Sequence, residues 1–325
     1  MNMLGVGIIG CGLIGNKRAN ALGEKGRLIA CADISLDRAQ SLAQKFDAKY
    51  MQNWQDLLAL PDIDLVIVST LHDSLSNISI AAIEAGKHVL VEKPAARSFK
   101  ELSSVFLAAQ KVNVKVRVGF NHRYHRSLQM AKKIISSGEL GELMFIRGRY
   151  GHGARLGYET EWRANLDLSG GGELIDQGPH LIDLSRWFLG DFEDIQGFAT
   201  TYYWKMPVDD NAFMVLKTKD MKAAFLHVSC TEWKNLFSME VYGKKGKLDI
   251  SGLGGSYGLE KLAFYKMLPE MGPPETTIWE YPMVDDSWER EMNEFYEDIY
   301  KNREPSPGLS DALAVLRVVD SIYKR

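Results

Sequence analysis

GVGIIGCGLIG, residues 5–15, is the stretch on which the reading of this chain turns. Its first half is a short apolar run suited to a buried strand. Its second half spaces glycines at 10, 12 and 15 as GxGxxG, and a helical pattern follows. Each glycine answers a different need of a strand-to-helix turn built against a diphosphate. Gly10 permits the tight turn, Gly12 lets the backbone approach the pyrophosphate, and Gly15 lets the helix lie close to the sheet. Leu13 and Ile14 open that helix, whose N-terminal N–H groups and partial positive charge face the phosphates. Asp33 ends the second strand pattern. It can accept hydrogen bonds from an adenosine ribose, and its charge repels a 2′-phosphate, which favours NAD over NADP. Arg38 stacks on adenine, softens that repulsion, or is a solvated charge on the DRAQSLAQKF helix, and Cys11 reads as a small space-filler.

Outward from this stretch, short β-branched runs alternate with amphipathic segments as far as Phe120. Strands are expected at 5–10, 27–33, 49–50, 64–70, 88–93 and 115–120, with helical patterns such as NISIAAIEAG between them. Right-handed crossovers make this a Rossmann-type, doubly wound parallel sheet, an α/β domain over residues 1–121. Beyond it the rhythm changes. LMFIRGRYG, IQGFATTYYW, AFMVLKTKD, KAAFLHVSC, FSMEVYG and KLDISG follow one another with turns rather than helices between them, alternating apolar and polar positions. Residues 122–325 are therefore expected to form an α+β domain with a mostly antiparallel, open-faced sheet. MGPPE (271–275) and REPSPG (303–308) read as loops. Two helices close the chain, SWEREMNEFYEDIYKN and SDALAVLRVVDSIYKR, the second capped by Ser310 or Asp311 and able to return to the N-terminal domain.

Composition sets outer limits. The 325 residues are 46% hydrophobic and 25% charged, with a formal net charge of -3. That is a globular balance without the basic excess that nucleic acid or an anionic membrane calls for. Cys11, Cys31 and Cys230 are too scattered for a disulfide framework or a zinc site. No apolar run approaches a membrane span, and the chain reaches GVGIIG without a basic, cleavable leader, so a cytoplasmic protein is expected. His122 and His125 read as ordinary helix residues. Nothing around them spaces Cys, Asp or Glu as a metal set would, and no metal is expected.

Two further segments carry the functional reading: GKHVLVEKPAA (86–96) and GGGELIDQGPHLIDL (170–184). With GCGLIG, GFNHRY (119–124) and the closing SDALAVLRVVDSIYKR in the same order, the chain resembles the glucose-fructose oxidoreductase, inositol dehydrogenase and MocA family over nearly its whole length. The resemblance implies an NAD(P)-dependent dehydrogenase acting on a secondary alcohol or ketone of a sugar, inositol or sugar nucleotide. It also implies assembly through the open sheet face into a symmetric homodimer or homotetramer. It assigns Lys93 to substrate and cofactor contact and His180 to proton transfer.

The chemistry accounts for the same residues without the family. A secondary alcohol that gives up a hydride must also give up its hydroxyl proton, so a base must lie within hydrogen-bond reach, with a positive group to stabilise the developing alkoxide. Asp176 and His180 stand four apart in a segment of helical character, hence on one helix face. Asp176 can hold the hydroxyl or tune the imidazole that takes the proton. Lys93 ends the fifth strand, where ligands gather in open α/β sheets, and Pro94 disfavours a helical backbone there. On the cofactor side Glu92 joins Lys93. Where many relatives carry Thr-Pro-Asn, this chain reads Ser69-Thr70-Leu71-His72-Asp73-Ser74-Leu75, and His72 either replaces some ribose contacts or is a polar loop residue. Asn121, Arg123 and Tyr124 fall in a region that lines the substrate pocket in relatives, and Trp162 and Arg163 precede the glycine run. Tyr150, Tyr158, Trp162, Trp204 and Trp233 either stack on a sugar face or a nucleotide base, or fill the core.

Two other functions fit the same scaffold. One is a biliverdin, imine or dihydrodiol reductase, against which the joint presence of Lys93, Asp176 and His180 argues. The other is a nucleotide-sensing regulatory protein, whose mark would be loss of the lysine or the histidine.

Overall fold

The computed structural model describes residues 3–325. They form two compact units, one comprising the residues up to Phe120 with Trp288–Leu313, the other Asn121–Ser287 with Ala314–Arg325.

The first unit runs β1 (Leu4–Ile9), α1 (Leu13–Asn20), β2 (Gly26–Ala32), α2 (Leu36–Phe46), β3 (Lys49–Met51), α3 (Trp54–Leu58), β4 (Leu65–Val68), α4 (His72–Glu84), β5 (His88–Glu92), α5 (Phe99–Ala109) and β6 (Val116–Gly119). The strands are parallel in the order β3-β2-β1-β4-β5-β6. Val6, Ile8, Leu65, Ile67 and Leu90 are fully buried, the composition expected where both faces of a parallel sheet are covered. Strand order reverses between β1 and β4, so their carboxyl ends open the crevice at which such sheets bind ligands.

The segment from Trp288 completes this unit. In α10 (Ser287–Tyr300) the buried side chains of Met292, Phe295 and Tyr296 join the core of Val6, Leu28 and Leu42, and the Tyr296 hydroxyl donates to the Leu22 carbonyl at 3.0 Å. At the other sheet edge Arg117 of β6 bridges to Gly308. In α11 (Leu309–Tyr323) Ser310 and Asp311 lie inside the first turn rather than at the cap. The Asp311 carboxylate reaches back to accept the Gly308 N–H at 2.9 Å, the N3 half of a capping box.

The second unit contains α6 (Arg126–Ser137), β7 (Leu143–Gly151), α7 (Leu166–Ser169), α8 (Glu173–Asp176), α9 (Gly178–Leu189) and seven further strands. These are β8 (Phe192–Thr200), β9 (Asn211–Thr218), β10 (Ala223–Ser229), β11 (Leu236–Gly243), β12 (Gly246–Ser251), β13 (Glu260–Lys266) and β14 (Glu275–Tyr281). They form an eight-stranded sheet ordered β14-β13-β12-β11-β7-β10-β9-β8, antiparallel except for β7 beside β10. Alternation decides its faces: Phe237, Met239 and Val241 of β11 are buried, as are Leu248 and Ile250 of β12. On the opposite face Phe145, Phe198, Phe225 and Ile278 are exposed.

The strand reading needs three corrections. IQGFATTYYW leaves the sheet after Thr200, because the Asp210 carboxylate accepts the backbone N–H groups of Tyr202, Tyr203 and Trp204 that a neighbouring strand would otherwise take. The sequence reading placed no strand at β13, although Leu262 and Phe264 alternate there with half-buried positions. It placed none at β14 either, an edge strand without a buried residue that begins at Glu275, inside the expected loop. Among the described residues no helix is long and apolar enough to cross a membrane.

Candidate active site

The turn after β1 is shaped by contacts that forbid side chains. Gly10 has φ +97°, and a Cβ there would stand 2.5 Å from the Ser69 carbonyl oxygen; one at Gly15 would stand 2.0 Å from the Gly10 carbonyl oxygen. A Cβ at Gly12 would meet nothing within 4 Å. Two glycines thus let the turn and α1 close on β4, while the third faces open space and starts α1 without a side-chain cap among the described residues. The Ser69 hydroxyl donates to the Gly10 carbonyl at 2.8 Å and ties the ends of β1 and β4 together.

Asp33 is held to this turn. Its carboxylate accepts the Cys11 N–H at 2.7 Å and the Ser35 N–H at 2.8 Å, which leaves each oxygen a second lone pair. An open N–H cradle beside a half-buried carboxylate fits a dinucleotide. Leu13 and Arg38 are exposed, Ile14 is half-buried and Cys11 is buried. Thr70 accepts from the Ser74 hydroxyl at 2.9 Å, and His72 is buried at the start of α4.

Glu92 and Lys93 end β5. Glu92 is buried and pairs with Arg18 at 2.6 Å; Arg18, with no exposed surface, also pairs with Glu291 at 2.6 Å. This charged triad anchors α1, β5 and α10 to one another. Lys93 is half-exposed, its peptide bond to Pro94 is cis, and the Ala95 N–H donates to the Glu92 carbonyl at 2.9 Å to close the turn.

In the second unit Asp176 and His180 do not share one helix. Asp176 ends α8 and His180 lies in the first turn of α9. Pro179, lacking an N–H, cannot continue the α-helical ladder, and the His180 N–H donates to Gln177 three residues back at 3.2 Å. The backbone at Gln177 nevertheless remains near-helical (φ -101°, ψ -31°).

The glycine run before Asp176 is required by close approach. A Cβ at Gly172 would stand 1.9 Å from the Asp209 carbonyl oxygen. The Asp209 carboxylate accepts the Gly172 and Leu174 N–H groups and the Tyr323 hydroxyl at 3.0, 2.8 and 2.6 Å, fixing the start of α8.

The buried Asp176 carboxylate accepts the Arg163 Nε–H at 2.9 Å, and that charge holds the arginine's pKa above its ordinary value. The Arg163 guanidinium lies over the Trp162 ring at 4.5 Å. Next along α8, Glu173 accepts from the Tyr158 hydroxyl at 3.0 Å and lies 3.4 Å from His152. Burial draws the His152 pKa down, but the hydrogen bond to Glu173 and the charges of Glu173 and Asp176 outweigh it, leaving a net rise.

The other candidates have structural partners. Asn121 donates to the Ser287 hydroxyl at 3.1 Å, Tyr124 is buried, and Arg123 makes a two-pronged pair with Asp183 at 2.7 and 2.5 Å. Tyr158 and Trp204 pack with Cys230 in a small core, whereas Trp233 is exposed.

His122 and His125 are not ordinary helix residues. His122 is buried in the 3-10 turn Asn121–Tyr124 with its ring against His180, and His125 sits at the α6 N-cap, 3.2 Å from Glu260. Tyr257, ring to ring with Tyr150, carries no expectation from the sequence. The sequence signal for both was slight: a histidine inside GFNHRY and a tyrosine in a glycine-rich loop.

Residues 4–120 match the oxidoreductase family with an NAD-binding Rossmann fold, and residues 128–249 match the GFO/IDH/MocA C-terminal domain. Levoglucosan dehydrogenase of Pseudarthrobacter phenanthrenivorans is 29% identical over 231 residues, 67% of this chain and 59% of that protein. Inositol 2-dehydrogenase of Salmonella typhimurium is 32% identical over 195 residues, 58% of this chain and 55% of that protein. These matches thus span between half and two thirds of the relatives' own length. In fold the chain is similar to a levoglucosan dehydrogenase solved in complex with NADH and levoglucosan. The TM-score is 0.90 at 23% identity, over 99% of this chain and 97% of that one.

Proposed function

Because the chain belongs to the GFO/IDH/MocA oxidoreductase family, whose N-terminal domain is an NAD-binding Rossmann fold, we propose that it is an NAD-dependent dehydrogenase of polyhydroxylated substrates. Its substrate on this reading is a secondary alcohol of a sugar, inositol or sugar nucleotide. The observation that carries the reading is the buried Asp176–His180 segment, built on a glycine run that tolerates no side chain at Gly172. When bound, the nicotinamide supplies the hydride acceptor.

The chain's own residues do the rest. Gly10, Gly12 and Gly15 shape the phosphate cradle, and Asp33 takes the adenosine ribose. His180 accepts the hydroxyl proton, Asp176 orients the hydroxyl with Arg163 holding the carboxylate in place, and Lys93 stabilises the developing alkoxide. The exposed aromatic face of the second sheet pairs with a second copy, which light scattering at micromolar concentration checks.

The deciding experiment compares wild type with His180→Ala on levoglucosan, inositol and glucose 6-phosphate, following NADH production. Loss of the proton acceptor should lower kcat by about two to four orders of magnitude while NAD binding survives. Lys93→Ala should also depress turnover. Near-normal turnover by His180→Ala would refute the assignment.

A further inference from the structure

The 3-10 turn Asn121–Tyr124 sets the His122 ring edge-to-face against His180, with centroids 3.7 Å apart and planes at 86°. Both residues are buried. Tyr150 is edge-on to both rings, at 5.2 and 5.9 Å, and Phe237 stacks on His122 at 6.1 Å. His125 stacks on His122 at 5.5 Å. Two imidazoles this close, shielded from water, resist carrying two positive charges; such coupling separates the two protonations by about one pH unit or more.

The charged and titratable surroundings are fixed. Asp176 and Glu173 of α8 act on the neighbouring Tyr150, and Asp176 is paired with Arg163. Arg123 of the 3-10 turn is neutralised by Asp183 of α9. His125 is hydrogen-bonded to Glu260 and lies 3.9 Å from Asp285. From the sheet side come Tyr150 and Tyr257, both held neutral because burial raises their pKa.

We propose that His122 is the positioning residue for His180, the two rings taking up one proton between them. The inference rests on the reading of His180 as proton acceptor. In the oxidation the substrate loses a hydride with its electron pair to the cofactor, and its hydroxyl proton to the pair. The pair passes from neutral to a single positive charge and returns that proton to solvent after turnover. The perpendicular contact with His122 fixes the orientation of the His180 ring as it charges.

The test uses the full chain with nitrogen-15-labelled histidine, whose seven imidazoles are followed by NMR from about pH 5 to pH 9, the range in which imidazoles titrate. His180→Ala and His122→Asn assign the two signals. In wild type each ring should respond to the protonation of the other. In His122→Asn, or His122→Gln if the first folds poorly, His180 should titrate in a single step with its midpoint moved by about half a unit or more. Thermal melting should remain near that of wild type. A His180 midpoint unchanged by both variants, or a His180 ring that does not titrate in wild type, overturns the proposal.

Turnover separates this failure from that of the functional reading. If His180→Ala keeps its turnover, the reading fails. If His180→Ala is inactive but the His180 titration ignores His122, only the pairing fails. With the pairing correct, His122→Asn lowers kcat about tenfold, leaves KM within about threefold and moves the acid limb of the rate profile.

Discussion

Replacing Arg18 by methionine removes the cation of a deeply buried charge cluster in the first unit. Nε and Nη1 of Arg18 each lie 2.6 Å from a carboxylate oxygen, of Glu92 and Glu291, and neither Arg18 nor Glu291 exposes any side-chain surface. Methionine roughly fills the stem volume but neutralises nothing, so two carboxylates face each other in a site that excludes water. Truncating one partner of a buried pair costs about 3–5 kcal/mol, and the second carboxylate places this case at the upper end.

The pH dependence gives the sharper test. Burial already raises the Glu291 pKa against the lowering effect of Arg18, so removing Arg18 raises it further. A carboxyl whose folded pKa exceeds its unfolded value of about 4.3 binds more protons folded than unfolded, so stability increases as pH falls between those values. The deficit of Arg18→Met should therefore shrink from about pH 8 to about pH 5, by up to about 1.4 kcal/mol per pH unit for each proton taken up. Adding Glu92→Gln and Glu291→Gln should restore most of the loss at neutral pH, because replacing a whole cluster costs less than breaking it. Urea unfolding reports these differences through tryptophan fluorescence, since the Trp288 ring lies 4.5 Å from the Arg18 guanidinium carbon. A deficit below about 1 kcal/mol, or one that is constant with pH, would refute the reasoning.

The cradle and the glycine run give the remaining tests. NADH should bind at least about tenfold tighter than NADPH, from a charge-assisted bond to Asp33 worth about 1.5–3 kcal/mol, and Asp33→Asn should narrow the gap; equal affinities in calorimetry would contradict this. Gly12→Ala should melt like wild type, since its Cβ meets open space, yet lose about tenfold or more in NADH affinity; unchanged binding would remove Gly12 from the cradle. Gly172→Ala should instead destabilise the second unit by about 1–3 kcal/mol and reduce turnover, as the 1.9 Å approach to Asp209 forces α8 to shift; a wild-type melting curve would show the contact to be soft.

The sequence by itself determined the features that local physics encodes. Glycine spacing and continuous apolar runs set out a parallel sheet with a dinucleotide turn after β1, because a strand covered on both faces and a helix crowded onto a turn each restrict residue type directly. Alternation marked most of the second sheet for the same reason. Local signals misled where a distant or neighbouring group took over the backbone. Asp210 drew Tyr202–Trp204 out of β8, Pro179 split what period alone joined into one helix, and the edge strand β14 buries none of its residues and so lacks the alternation of a half-buried strand.

Only the tertiary structure could decide what long-range contact creates. Glu291 lies 273 positions from its partner Arg18, and Asp209 lies 37 from the Gly172 it holds. His122, an unremarkable member of GFNHRY, becomes a partner of His180 across 58 residues because a 3-10 turn and the start of α9 meet in one core. The pattern of a single segment reports whether a residue is buried. It does not report which side chain is buried against it, and the chemistry of this site depends on that.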